Sequence, residues 1–213
     1  MTIKAVMFDI DGTLVHTKPD YIFNTVRRVL NELGNTIKLE NKEITRFWFG
    51  MDRDEIISSW KIKPQDFWNS FRKQDDIDIR KNFIEAYGDI WVLEKMKENG
   101  IKLGALSNAP PWVVAINMEK IHVEFDCIIN TFGTSVRPKP DPHGIEECMH
   151  LFGTKPDGTI MIGNGLEDHL AAKAAGVRDF FIDRKEHEIE IPSENRIGSL
   201  EELLDILEKN KAY

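Results

Sequence analysis

The sequence predicts an α/β protein, a parallel sheet sandwiched between helices, with a small helical unit inserted after the first strand. Three observations carry this. From Asp89 onward, short apolar runs alternate with segments of helical spacing. Several of those runs end in polar residues. Residues 39–84, in contrast, keep a helical, aromatic-rich pattern with no alternating strand.

Residues 3–8, Ile-Lys-Ala-Val-Met-Phe, form the first apolar run and lead into Asp9-Ile10-Asp11-Gly12-Thr13, which reads as a buried strand followed by a turn. Asp20 then precedes the helix-spaced set Ile22, Val26, Val29, Leu30 and Leu33, closed by Gly34 as a left-handed cap. The helical stretch that follows is broken at Phe49-Gly50 and at Pro64. A helix through Leu93 and Met96 ends at Gly100, and the apolar run 101–106 ends in Ser107-Asn108. The alternation continues with a helix over 111–120, a strand over 125–130, a helix after Pro142 and a strand over 159–162. A helix over 166–175 capped by Gly176, a strand at 180–182 and a last helix over 199–208 complete the series.

With 213 residues, 41% hydrophobic and 30% charged, the composition fits a soluble globular protein and argues against long disorder and membrane residence. Asp9 and Asp11 interrupt the N-terminal stretch where a signal peptide needs unbroken apolar residues, and no later run has the length to span a bilayer, so a cytoplasmic location is expected. Cys127 and Cys148 are far apart and lack metal-ligand spacing, which favours buried small hydrophobes over a disulfide or zinc pair. The net charge of −8, with Lys and Arg scattered among acids, leaves no basic stripe to follow a nucleic-acid backbone. The same negative field repels a small phosphate ester, so a phosphate site here needs concentrated local positive charge from a cation or a placed lysine.

Open parallel sheets bind ligands at the carboxyl ends of their strands. Asp9, Asp11, Ser107, Asn108, Asn164 and Asp168 all follow apolar runs read as strands, so one pocket collects them although they are scattered along the chain. Two carboxylates separated by one residue supply one group to attack an electrophile or bind metal and another to handle protons, while Gly12 lets the backbone turn sharply between them and the next element.

The hexapeptide Asp9-Ile10-Asp11-Gly12-Thr13-Leu14 resembles the D-x-D-G-T-L signature of the haloacid dehalogenase superfamily. Three further motifs occur in the family's order: Ser107-Asn108, Lys139 within Arg-Pro-Lys-Pro-Asp-Pro, and Gly163-Asn164-Gly165-Leu166-Glu167-Asp168. The resemblance implies a Rossmann-like core of residues 1–16 and 86–213 with a helical type-one cap of residues 17–85. It implies that Asp9 attacks phosphorus to form an aspartyl-phosphate and that Asp11 first donates a proton to the leaving alkoxide and then activates water. Because the dehalogenases lack the second acid, Asp11 points to a phosphate monoester as substrate. Thr13, Ser107 and Asn108, the last through its backbone N–H, are expected to hold phosphate oxygens, and Lys139, in a proline-stiffened loop, to stabilise Asp9 and the transferring phosphoryl group. Magnesium is the implied cofactor, with Asp9, the Asp11 carbonyl, Asn164 and Asp168 as its oxygen donors. The family's usual first acid in the fourth motif aligns with Asn164, a neutral amide, which predicts weaker metal binding.

Within the cap, Phe49-Gly50-Met51-Asp52-Arg53 resembles the specificity loop of phosphoglycolate phosphatases and β-phosphoglucomutases, and Arg53 is a candidate ligand for a distal anion, set against the reading of a surface arginine in an acidic helix start. Trp48, Trp60, Phe67, Trp68 and Phe71 are read as core rather than as a stacking platform. His169 is read as structural, as are the other histidines, with His16 slightly favoured for function because it lies just past the catalytic turn. The expected partner is a small phosphorylated metabolite, without nucleic acid or membrane, acted on by a monomer or homodimer. A phosphosugar mutase and a catalytically weak phosphate-binding module are the alternatives.

Overall fold

The structure, a computed structural model, describes residues 2–211. In chain order the elements are β1 (Ala5–Phe8), β2 (Val15–Thr17), α1 (Pro19–Glu32), α2 (Asn41–Phe49), α3 (Arg53–Ser59), α4 (Pro64–Gln74), α5 (Ile77–Arg80) and β3 (Ile84–Ala86). There follow α6 (Val92–Glu98), β4 (Lys102–Ser107), α7 (Pro111–Met118), β5 (Cys127–Asn130), α8 (His143–Phe152) and β6 (Thr159–Gly163). The chain ends with α9 (Leu166–Ala174), β7 (Arg178–Ile182), β8 (Arg196–Ile197) and α10 (Glu201–Lys211). The described chain divides into two compact units: residues 2–16, 86–184 and 191–211 in one, and residues 17–85 with 185–190 in the other.

The larger unit is built on a six-stranded sheet in the order β5-β4-β1-β6-β7-β8, with every pairing parallel. All four residues of β1, Ala-Val-Met-Phe, are buried, as expected for a central parallel strand covered on both faces. Phe8 is in register with Ala105 of β4 and Ile162 of β6, so these strands end at nearly the same level. Successive strands run outward from β1 in opposite directions, β4 and β5 to one side and β6 to β8 to the other, so the sheet's topological switch point lies at the carboxyl end of β1. One face of the sheet packs Met7, Leu106 and Met161 against Ile145, Cys148 and Phe152 of α8 and Ala171 and Ala172 of α9.

The smaller unit is helical. Its core gathers Ile22, Val26, Val29 and Leu30 of α1 with Ile44, Phe47, Ile57, Trp60, Phe67 and Phe71. Phe47 sits among aromatic neighbours, its ring centroid 5.2 Å from Phe67, 5.3 Å from Trp60 and 5.7 Å from Trp68. Trp48 and Trp68 are partly buried against this cluster. These rings fill the unit's interior, which is the reading the helical spacing favoured. A buried ion pair between Arg80 and Asp75, 3.0 Å apart, is joined by the Tyr21 hydroxyl donating to Asp75 at 2.7 Å.

Several boundaries differ from the sequence reading. The first helix begins at Pro19, with Lys18 as its cap and Asp20 inside the first turn, because proline is preorganised for the first helical position and α1 needs no side-chain cap. β2, β3 and β8 were not foreseen: two or three residues carry no periodicity. Cys127 is half-buried rather than fully enclosed; both cysteines are free thiols, and α8 brings Cys148 against Cys127 despite their separation in sequence.

Candidate active site

At the end of β1 the ladder continues one residue further, the Asp9 N–H donating to the Ile162 carbonyl at 2.9 Å, which fixes Asp9 at the switch point. The chain then reverses. The N–H groups of Thr13, Leu14 and Val15 all point at the Ile10 carbonyl, and Gly12 holds φ +79°, a left-handed conformation that glycine adopts without steric cost. The turn carries Thr13 back beneath the strand end, where its hydroxyl lies 3.3 Å from both Asp9 Oδ2 and Asn164 Oδ1.

Lys139 enters from the loop between β5 and α8. Asn108, just past β4, clamps that loop from both sides: its side-chain oxygen accepts from the Lys139 N–H at 3.0 Å and its amide donates to the Lys139 carbonyl at 2.9 Å. Thr131 completes the clamp by donating to the same Asn108 oxygen at 2.9 Å. The Lys139 ammonium is thereby buried, with three acceptors: Asp9 Oδ1 and Asp168 Oδ1, each at 2.6 Å, and the Leu106 carbonyl at 3.1 Å.

Asp168 lies in the first turn of α9, where its other oxygen accepts the Gly165 N–H at 3.0 Å, a carboxylate placed at the helix N-terminus. Gly163 makes room for it: a methyl group at 163 would collide with the Asp168 side chain. Both Asp168 oxygens are therefore engaged within the protein. Of the residues marked by sequence, Asp9, Thr13, Lys139, Asn164 and Asp168 thus meet in one buried cluster. Asp11 lies beside them, its Oδ1 accepting from the Asn117 amide at 2.8 Å. Ser107 is buried at the end of β4, its oxygen accepting from the Ala109 N–H at 3.1 Å. Arg53 belongs to the helical unit, exposed, and donates to the Trp48 carbonyl at 2.8 Å. His169 pairs with Asp179 at 3.0 Å and His16 stacks on Tyr87.

The electrostatics of the cluster are uneven: two buried carboxylates face one ammonium. Burial pushes the Asp9 carboxyl up to about 8; Lys139 pulls it back, while the negative charges of Asp168 and Asp11 add to the rise. Burial alone would lower the Lys139 ammonium, yet the two carboxylates hold it well above the usual lysine range, so it stays charged. With Asp9 ionised, the cluster is one positive charge short of neutral. The oxygens around Thr13 suit a hard cation, since Asp9 Oδ2 and Asn164 Oδ1 converge on one hydroxyl. Among the described residues no three His, Cys, Asp or Glu gather as a metal cage.

Sequence reading missed the brace beneath this turn. Arg184, just past β7, donates twice to the Thr13 carbonyl, at 2.8 and 3.2 Å, and pairs bidentately with Asp89 at 2.7 and 2.9 Å. Its guanidinium carbon lies 3.9 Å from the Tyr87 ring centroid, and Asp89 also accepts the Leu200 N–H at 2.8 Å. Arg184→Ala leaves Asp89 buried without its charge partner and should lower stability by about 3–5 kcal/mol, read as a fall in the thermal midpoint; an unchanged midpoint would show that the brace is idle.

Comparison with known proteins places this fold in a family. The family model described as haloacid dehalogenase-like hydrolase matches residues 6–182, and the chain belongs to that family. A phosphoglycolate phosphatase of Pseudomonas aeruginosa is 29% identical over 188 residues, covering 82% of this chain and 67% of the relative. The pyrophosphatase PpaX of Anoxybacillus flavithermus is 26% identical over 216 residues, covering 97% and 98%. Among solved structures, a haloacid dehalogenase-like hydrolase from Bacteroides fragilis superposes with a TM-score of 0.78 at 23% identity, over 95% of this chain and 100% of that one.

Proposed function

We propose that the protein hydrolyses a small phosphate monoester through an aspartyl-phosphate on Asp9. The observation that carries this is the buried Asp9 at the switch point of the sheet, one oxygen held by a charged Lys139 and a second acid two residues further on. In the first step an Asp9 oxygen attacks phosphorus in line, the bond from phosphorus to the ester oxygen breaks, and Asp11 gives its proton to the departing alkoxide. In the second, Asp11 takes a proton from water, the hydroxide attacks phosphorus, and the bond from phosphorus to Asp9 breaks to release phosphate.

Lys139 spreads the charge that builds on the equatorial oxygens and is held in place by Asn108, which costs no reorganisation during reaction. Thr13, Ser107 and the Asn108 N–H are assigned to the phosphate oxygens. Asp9, Asn164 and the Asp11 carbonyl would hold magnesium, which supplies the missing positive charge and draws electron density from the phosphoryl group. Asp168 contributes by orienting Lys139. The division into an α/β body that does the chemistry and a helical unit that selects the substrate, with Arg53 as its candidate anion contact, belongs to the same reading.

Relatives named for release of phosphate, from phosphoglycolate and from pyrophosphate, support hydrolysis over transfer. The test is phosphate release, with magnesium present, from phosphoglycolate, pyrophosphate and a panel of sugar phosphates. Transfer between positions of one sugar in excess of phosphate release would select the mutase reading instead, and binding without turnover at any divalent metal would select the binding-module reading.

The metal assignment makes its own prediction, independent of turnover. A carboxyl raised from 3.8 to about 8 keeps its proton in the folded state while the unfolded chain has lost it, so its contribution to stability is present below pH 4 and is lost as pH rises through 8. Without divalent ions the thermal midpoint should fall between pH 5 and 8 more steeply than in Asp9→Asn. Magnesium should raise the wild-type midpoint at pH 8 and leave Asp9→Asn unmoved; an equal rise in both would place the ion elsewhere.

A further inference from the structure

We propose that Asn117 is a positioning residue that aims Asp11 at the leaving group, an assignment that rests on Asp11 acting as acid and base in the reading above. The segment forming α7 is Pro-Trp-Val-Val-Ala-Ile-Asn-Met, in which Asn117 is the single hydrogen-bonding side chain apart from the indole of Trp112. Asn117 is completely buried. Its amide donates to Asp11 Oδ1 at 2.8 Å, across 106 residues of sequence. Its own oxygen is buried and accepts no hydrogen bond.

That half-satisfied state is informative. A buried amide oxygen without a donor is costly, and packing alone would be served better by leucine, which matches asparagine closely in shape and orphans nothing. The one hydrogen bond the side chain makes points at Asp11. Asp11 sits half-buried on the turn past β1, where rotation about its side-chain bonds would swing the carboxyl group off the line of the departing oxygen. An N–H on Oδ1 restrains that rotation and anchors the carboxyl group from the α7 side. Proximity of this kind raises rate only where a proton is moved in the transition state.

The leaving group separates this role from a structural one. A nitrophenolate departs without a proton, whereas an alkoxide needs one, so loss of aim at Asp11 should be felt only with the alkyl ester. The experiment measures kcat/KM, which reports the steps up to cleavage of the phosphorus–oxygen bond, for p-nitrophenyl phosphate and for a simple alkyl phosphate. Asn117→Leu should lose about tenfold or more on the alkyl ester and less than about threefold on the aryl ester, in the direction of Asp11→Ala but smaller. Asn117→Ser is measured beside it. The ratio of the two esters on one sample cancels any loss of folded material, so partial unfolding does not blur the result. An unchanged ratio in both Asn117 variants, with Asp11→Ala selective, overturns the proposal and leaves the role of Asp11 standing. An unchanged ratio in Asp11→Ala overturns the reading of Asp11 and this proposal with it.

Discussion

Asp9→Asn should abolish phosphate release, with a loss of about four orders of magnitude or more in kcat, while the protein stays folded. The loss follows from chemistry: an amide is not a nucleophile toward phosphorus, and no neighbouring group replaces it, since both Asp168 oxygens are engaged by Lys139 and the Gly165 N–H. Stability should hold or rise. Wild type buries two carboxylates against one ammonium, and the substitution leaves Lys139 and Asp168 as a balanced pair 2.6 Å apart. A site that gains stability when its reactive group is neutralised keeps that group for function. Phosphate release within tenfold of wild type, from protein free of contaminating phosphatase, would contradict this account.

Lys139→Met should fail in both respects. Removing the ammonium leaves Asp168 buried beside Asp9 with no countercharge, at a cost of about 3–5 kcal/mol, softened below about pH 8 where Asp9 keeps its proton. Loss of the charge facing the transferring phosphoryl group should cost a further factor of about 10² to 10³ in kcat. Adding Asp168→Asn to Lys139→Met should restore much of the thermal midpoint and none of the turnover. If the double variant regained activity, Lys139 would be a structural counterion only.

The sheet was legible where strands are buried on both faces: β1, β4 and β6 are continuous apolar runs, and their alternation with helices leaves few topologies. β2, β3 and β8 were invisible because they are fixed by pairing rather than by side-chain pattern. In the site, local motifs marked Asp9, Thr13, Lys139, Asn164 and Asp168, each beside a strand end or helix start. Their connectivity was not legible. Asp168 was expected among the metal donors, whereas the structure ties it to Lys139 across 29 residues. The Arg184 brace reaches Thr13 across 171 residues and the Asn117 contact reaches Asp11 across 106, so neither leaves a signal in a local window. Faint signs existed: Arg184 follows an apolar run, as Asp9 does, and Asn117 interrupts an apolar helix.

The helical unit illustrates the opposite case. Aromatic residues at helical spacing could line a ligand or a core, and the ring contacts of Phe47, Trp60, Phe67 and Phe71 put them in the core. Side-chain identity could not decide between these uses; burial does.

The central claim is that Asp9 carries the phosphoryl group. Quenching the protein during turnover and treating it with borohydride reduces an aspartyl-phosphate to homoserine, which peptide mass spectrometry places in the sequence. The account predicts homoserine at position 9 in the wild type and none in Asp9→Asn. Reduction at another carboxylate, or phosphate release in steady turnover with Asp9 never modified, would contradict it.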